Sequence, residues 1–118
     1  MKYQLVCHPK CTTCLRAKKW LDDNRIKYTE RHVAVANPTA AELREWVMIS
    51  RQPVNRFFNA GGIAYRESNL KDLLPSMSDD QKISLLSTDG MLLRRPLLVG
   101  KEIVLVGFKE EEWKALLE

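Results

Sequence analysis

The sequence predicts an α/β domain, a small mixed sheet flanked by helices and interrupted by an all-helical insertion, and three observations predict it. A short apolar run, Tyr3-Gln4-Leu5-Val6-Cys7, is followed by Cys11-Thr12-Thr13-Cys14 and an amphipathic stretch from Leu15 to Leu21. The middle of the chain carries two capping signatures, Thr39-Ala40-Ala41-Glu42 and Ser78-Asp79-Asp80-Gln81. Two brief apolar runs and a last amphipathic stretch close the chain. The resulting order is β-α-β, a helical middle, then β-β-α.

Taken in order, Tyr3 to Cys7 is the first strand and the first helix starts at the cysteine pair. Residues Ile26 to Val33 alternate well enough for a second strand. Asn37-Pro38 breaks the chain, and Thr39 caps a helix whose apolar face is Leu43, Trp46, Val47 and Ser50, ended by Pro53. Phe57 and Phe58 read as a buried helical turn, Gly61-Gly62 as a loop, and Leu70 to Leu74 as a short helix stopped by Pro75. Ser78 opens a helix through Ile83, Leu85 and Leu86 that stops near Asp89-Gly90. Leu97-Leu98-Val99 and Ile103-Val104-Leu105 are strands joined by a hairpin turn at Gly100-Lys101. Lys109 to Leu117 is the final helix, with Glu110, Glu111 and Glu112 where the macrodipole favours them. Trp20, Trp46 and Trp113 fall on helical apolar faces and are expected in the core.

A chain of 118 residues is one domain by length, here 1–118, with 1–36 and 92–118 as its core and 37–91 as the insertion. Apolar content of 45% with 29% charged residues describes a globular chain, and no run approaches the ~18 apolar residues of a membrane span. The net charge of +4 is spread among acids, without the clustered basic face and interleaved aromatics that nucleic acid requires, so no direct nucleic-acid binding is expected. The N-terminus lacks an export signal, and an odd number of cysteines is no secreted disulfide framework; a cytoplasmic location is expected.

A strand, a tight loop and a helix opening with Cys-x-x-Cys is the arrangement read as a thioredoxin-like redox site. A sulfur at a helix N-terminus faces unpaired N–H groups and the positive end of the dipole, which favour the thiolate. Cys14 lies one turn on, within the Cα separation of about 4.4–6.8 Å that a disulfide spans. Two metal readings compete. Cys7, Cys11 and Cys14 match a four-iron cluster spacing, and Cys7, His8, Cys11 and Cys14 offer zinc ligands, but from one short segment rather than two separated pairs. No metal is expected. Cys7 is expected as a small buried hydrophobe, and His8 and His32 as solvated or locally bonded.

Cys11-Thr12-Thr13-Cys14, Tyr28-Thr29-Glu30-Arg31, Leu93-Arg94-Arg95-Pro96-Leu97 and Gly107-Phe108, in that order, resemble the ArsC/Spx family over essentially the full length. The resemblance implies a thioredoxin/glutaredoxin-like fold and a cis peptide bond before Pro96, facing the cysteines. It also implies two kinds of activity. One branch is the glutaredoxin-coupled arsenate reductases, with a nucleophilic cysteine and several arginines that hold the oxyanion. The other is the Spx-type regulators, which carry Cys-x-x-Cys as a redox switch and bind the RNA polymerase α subunit. Carried over, Cys11 is the nucleophile and Arg95 one oxyanion arginine; Cys14, one turn on, is the expected resolving cysteine, and Arg95 is expected to support the thiolate. Arg94, Thr12, Thr13 and Pro96 are the expected substrate contacts. The family's other two arginine positions fall at about Asn59 and near Gly107, and the regulators' polymerase-contact glycine has no counterpart in residues 49–60. The expected function is thus a thiol–disulfide redox protein with no bound cofactor, reduced by glutathione or by a thioredoxin or glutaredoxin system. Its expected partners are disulfide-bearing proteins or glutathione, with the polymerase α subunit as the alternative.

Overall fold

The computed structural model describes residues 3–117. Four strands, β1 (Tyr3–Cys7), β2 (Tyr28–His32), β3 (Leu97–Val99) and β4 (Val104–Val106), form one sheet in the order β2-β1-β3-β4. β1 and β2 are parallel, and the β1–β3 and β3–β4 pairs are antiparallel, so the sheet is mixed. The parallel pair needs a crossover, and α1 (Thr12–Asp23) supplies it. Between β2 and β3 lie α2 (Ala40–Ser50), α3 (Ile63–Glu67), α4 (Leu70–Leu73) and α5 (Asp79–Leu86), and α6 (Glu110–Leu117) follows β4.

The period of two along each strand divides the core. Leu5, Cys7, Leu98 and Leu105 pack with Cys14, Ala17, Trp20 and Leu21 of α1 and with Trp113 of α6. Val6, Leu97, Val104 and Val106 point the other way, into Leu43 and Trp46 of α2, Phe57, Phe58 and Leu86. Each fully buried aliphatic chain contributes about 1.5–3 kcal/mol, so the two faces hold the sheet between them. All three tryptophans are buried, as the helical periodicity predicts.

Both capping boxes form, with Thr39 and Ser78 accepting from the N–H groups of Glu42 and Gln81. Several boundaries move for local reasons. β2 starts at Tyr28, not Ile26, because the Ile26 N–H donates back to Leu21 O at 2.9 Å and closes the end of α1. α2 ends before Pro53: Arg51 takes a left-handed conformation (φ 59°), and the Ser50 hydroxyl, donating to Val47 O, is a terminal bond rather than part of the apolar face. α4 ends at Leu73, one residue earlier than expected, and Pro75 enters a 3₁₀ turn at Leu74–Ser76, whose first residues need no N–H partner. The hairpin is wider than a turn at Gly100-Lys101: Gly100 donates to Ile103 O at 2.7 Å, Val99 pairs with Val104, and β4 starts one residue late.

Phe57, Phe58 and Asn59 run antiparallel to the segment before β3. Arg94 donates to Phe57 O at 2.8 Å, Asn59 donates to Leu92 O at 2.8 Å, and Phe58 bridges Leu93. The helical segment is thereby tied to the residues that lead into Arg95 and Pro96.

Candidate redox site

Cys11 is the N-cap of α1. Its backbone is extended (φ −87°, ψ 114°), and its Sγ accepts the N–H of Cys14 at 3.3 Å, taking the place a serine or aspartate oxygen holds at other helix starts. The Cys11 N–H donates to His8 O at 3.1 Å, and His8 Nδ1 accepts the Lys10 N–H at 3.1 Å, which closes the loop from β1. The first turn of α1 carries no acidic residue. Nothing there opposes the dipole's preference for a negative sulfur. Cys11 is half-buried, and the neighbouring Thr12 is exposed.

Cys14, one turn into the helix, is fully buried, as is Cys7 at the end of β1. Burial, reinforced by a hydrogen bond with Cys11, pushes the Cys14 thiol up to about 12. Burial likewise raises Cys7, against a lowering by the Lys18 ammonium. The two motif cysteines therefore differ in kind: one sulfur is a solvent-reached cap, the other a protonated thiol beneath it. Cys7, His8, Cys11 and Cys14 do not converge as a metal-holding group among the described residues.

The Arg95–Pro96 bond is cis, as the resemblance implies. Arg95 Nη1 donates to Met91 Sδ at 3.4 Å, while its Nε is buried without a partner. Arg95 makes no hydrogen bond to Cys11 here. Arg94 turns toward the helical segment, its Nε donating to Arg56 O at 3.0 Å and its chain passing Gly107. At the positions where the family's further arginines fall stand Asn59, bonded to Leu92, and Gly107, at φ 74°.

One residue that the sequence reading did not single out, Lys18, follows Cys14 by one turn of α1. Lys18 Nζ sits 3.0 Å from Glu30 Oε1, and Glu30 Oε2 is 3.5 Å from His32 Nε2. A lysine four residues beyond the second cysteine was the available signal, but its partner on β2 follows only from the register of the parallel strands.

The profile of the ArsC family matches residues 7–116. A solved structure described as a putative ArsC family related protein from Bacteroides fragilis is 47% identical, with a TM-score of 0.94 and 98% of each chain covered. Another, described as a possible arsenate reductase from Streptococcus mutans UA159, is 36% identical with a TM-score of 0.86, covering 95% of this chain and 97% of that one. The global transcriptional regulator Spx 1 of Bacillus cereus is 27% identical over 113 residues, 96% of this chain and 85% of the regulator.

Proposed function

This chain belongs to the ArsC family, and on that premise we propose that it is a thiol–disulfide redox protein in which Cys11 attacks and Cys14 resolves. The observation that carries this reading is the pairing of an accessible cap sulfur, which accepts the Cys14 N–H, with a buried thiol one helical turn on. In the first step the Cys11 thiolate attacks a partner disulfide and displaces one of its thiolates. In the second, Cys14 attacks Cys11, releases the other partner thiolate and leaves an intramolecular disulfide. The partner gains two electrons and the pair loses two. Glutathione or a thioredoxin or glutaredoxin system then returns the pair to dithiol, and a reducing compartment such as the cytoplasm suits that cycle.

The placement of the arginines favours sulfur over arsenate as the target. A multiply charged oxyanion is held by several converging guanidinium groups. Here Arg94 serves the Arg56 carbonyl, and Asn59 and Gly107 stand where further arginines fall.

The test is oxidation by glutathione disulfide followed by peptide mapping. A Cys11–Cys14 bridge supports the reading; a pair left unbridged under this oxidant rejects it. The likeness to Spx 1 favours a second reading, a redox-switched regulator that binds the RNA polymerase α C-terminal domain. Capture on that domain by one redox form alone, without disulfide-reductase turnover, would select it.

A further inference from the structure

In the β1–β2 register Leu5 lies opposite Glu30 and Cys7 opposite His32. Leu5 and Cys7 face α1, so strand alternation puts Glu30 and His32 on that same side of the sheet. On α1, Lys18 follows Cys14 by one turn and shares its face. The Lys18 side chain is only 17% exposed, whereas that of Lys19, on the outer side of the helix, is 77% exposed. A lysine can ordinarily carry its ammonium out to water. Lys18 is instead held under the helix edge by Glu30 at 3.0 Å, with His32 on the far carboxylate oxygen and the His32 Nδ1 buried without a partner.

The groups that face Cys14 are few. Cys11 comes from the cap, Cys7 from β1 and a backbone hydrogen bond from His8 of the loop, while Lys18 stands one turn on along the same helix face, with Glu30 and His32 from β2 beyond it. The same core cluster adds the apolar Leu98, Leu105 and Trp113 from β3, β4 and α6, with Tyr28 of β2 packed against it. Lys18 is the permanent cation of that set. Burial works against its charge, but the hydrogen bond to Glu30 leads the opposing effects and its pKa is raised on balance.

We propose that Lys18, fixed by Glu30, is a positioning residue for the resolving step, its ammonium field stabilising the Cys14 sulfur as that sulfur loses its proton and attacks. The proposal rests on the dithiol reading and deepens it. In the step concerned, Cys14 Sγ bonds to Cys11 Sγ and the bond from Cys11 to the partner sulfur breaks. The electron pair leaves with the partner sulfur. The Cys14 proton passes to solvent, and the departing thiolate takes one up according to its own pKa. A thiol that burial has pushed up to about 12 is rarely ionised near neutral pH, so a nearby fixed cation acts where the barrier lies.

The test uses the full chain and DTNB (5,5′-dithiobis(2-nitrobenzoate)) as the disulfide. The first equivalent of thionitrobenzoate released reports attack by Cys11, and the second reports closure by Cys14. Lys18→Met is expected to leave the first release unchanged, which also shows that the fold is intact. It should slow the second about tenfold and move its pH profile up by roughly one unit, the size of one pKa unit of stabilisation. Lys18→Arg, which keeps the charge, should restore both. A Lys18→Met protein that closes at the wild-type rate with the wild-type pH profile overturns the proposal. So does a Lys18→Arg protein as slow as Lys18→Met, because packing alone then explains the effect. A wild-type protein that releases one equivalent and forms no bridge fails earlier, at the dithiol reading itself.

Discussion

The N–H of Cys14 donates to the Cys11 sulfur across 3.3 Å, so the sulfur that caps α1 is also the one that solvent reaches. The cap role and the nucleophile role coincide in one atom. The same helical turn buries Cys14 entirely, and β1 buries Cys7. Alkylation should therefore be ordered: under native conditions iodoacetamide is expected to modify Cys11 alone, with Cys7 and Cys14 reacting only after denaturant is added. Peptide mass spectrometry of a time course checks this, and native labelling of Cys14 ahead of Cys11 would reverse the proposed roles.

Acid stability should depend on the Arg31–Glu42 pair. Arg31 holds both oxygens of Glu42, at 2.6 and 2.8 Å, and lies over Trp46, while Glu42 completes the capping box with Thr39. The Arg31 hydrogen bonds, against a smaller burial effect and with help from Thr39, lower the Glu42 carboxyl from 4.5 to about 2. Its contribution is thus complete above the unfolded value and is lost as pH falls through the folded one, between 4.5 and about 2. The Glu42 side chain is 36% exposed, so solvent screening reduces the gain to about 1 kcal/mol. Glu42→Gln should lower stability by that amount at neutral pH and flatten the pH dependence in this window, as read from urea midpoints.

Much of this was legible beforehand because it is local. The two capping boxes rest on side chains three residues apart, and the cysteine pair on a strand–loop–helix sequence, and both stand where expected. What could not be read is set by pairing across the sheet. The late start of β4 follows from the Gly100–Ile103 closure, and the Lys18–Glu30–His32 group exists only because Leu5 registers with Glu30. Arg94 shows the same limit. It is expected as a substrate contact beside Arg95, but its side chain donates to Arg56 O instead.

Arg94 is accordingly expected to act as a tether. Arg94→Met removes its side-chain bond to Arg56 O and should cost about 1 kcal/mol. The backbone bond from Arg94 to Phe57 O remains. The rate of the first DTNB equivalent should not change. A fall in that rate without a loss of stability would instead assign Arg94 to the reacting sulfur.

Gly107 offers the sharpest test of how the cis-proline segment is held. Its N–H donates to Pro96 O at 2.8 Å, and its carbonyl accepts the Trp113 indole N–H at 3.1 Å. Those two bonds fix the backbone at φ 74°, where an L side chain is strained. Space is not the obstacle, since a Cβ there would approach nothing nearer than Arg94 Cδ at 3.5 Å. Gly107→Ala should therefore cost about 1–2 kcal/mol through backbone conformation alone. Gly107→Asn should cost less, because asparagine visits the left-handed region more readily. If the glycine were needed for room, the larger asparagine would be worse than alanine. Urea unfolding of the two variants decides between strain and space: stability in the order glycine, asparagine, alanine supports strain, and alanine above asparagine rejects it.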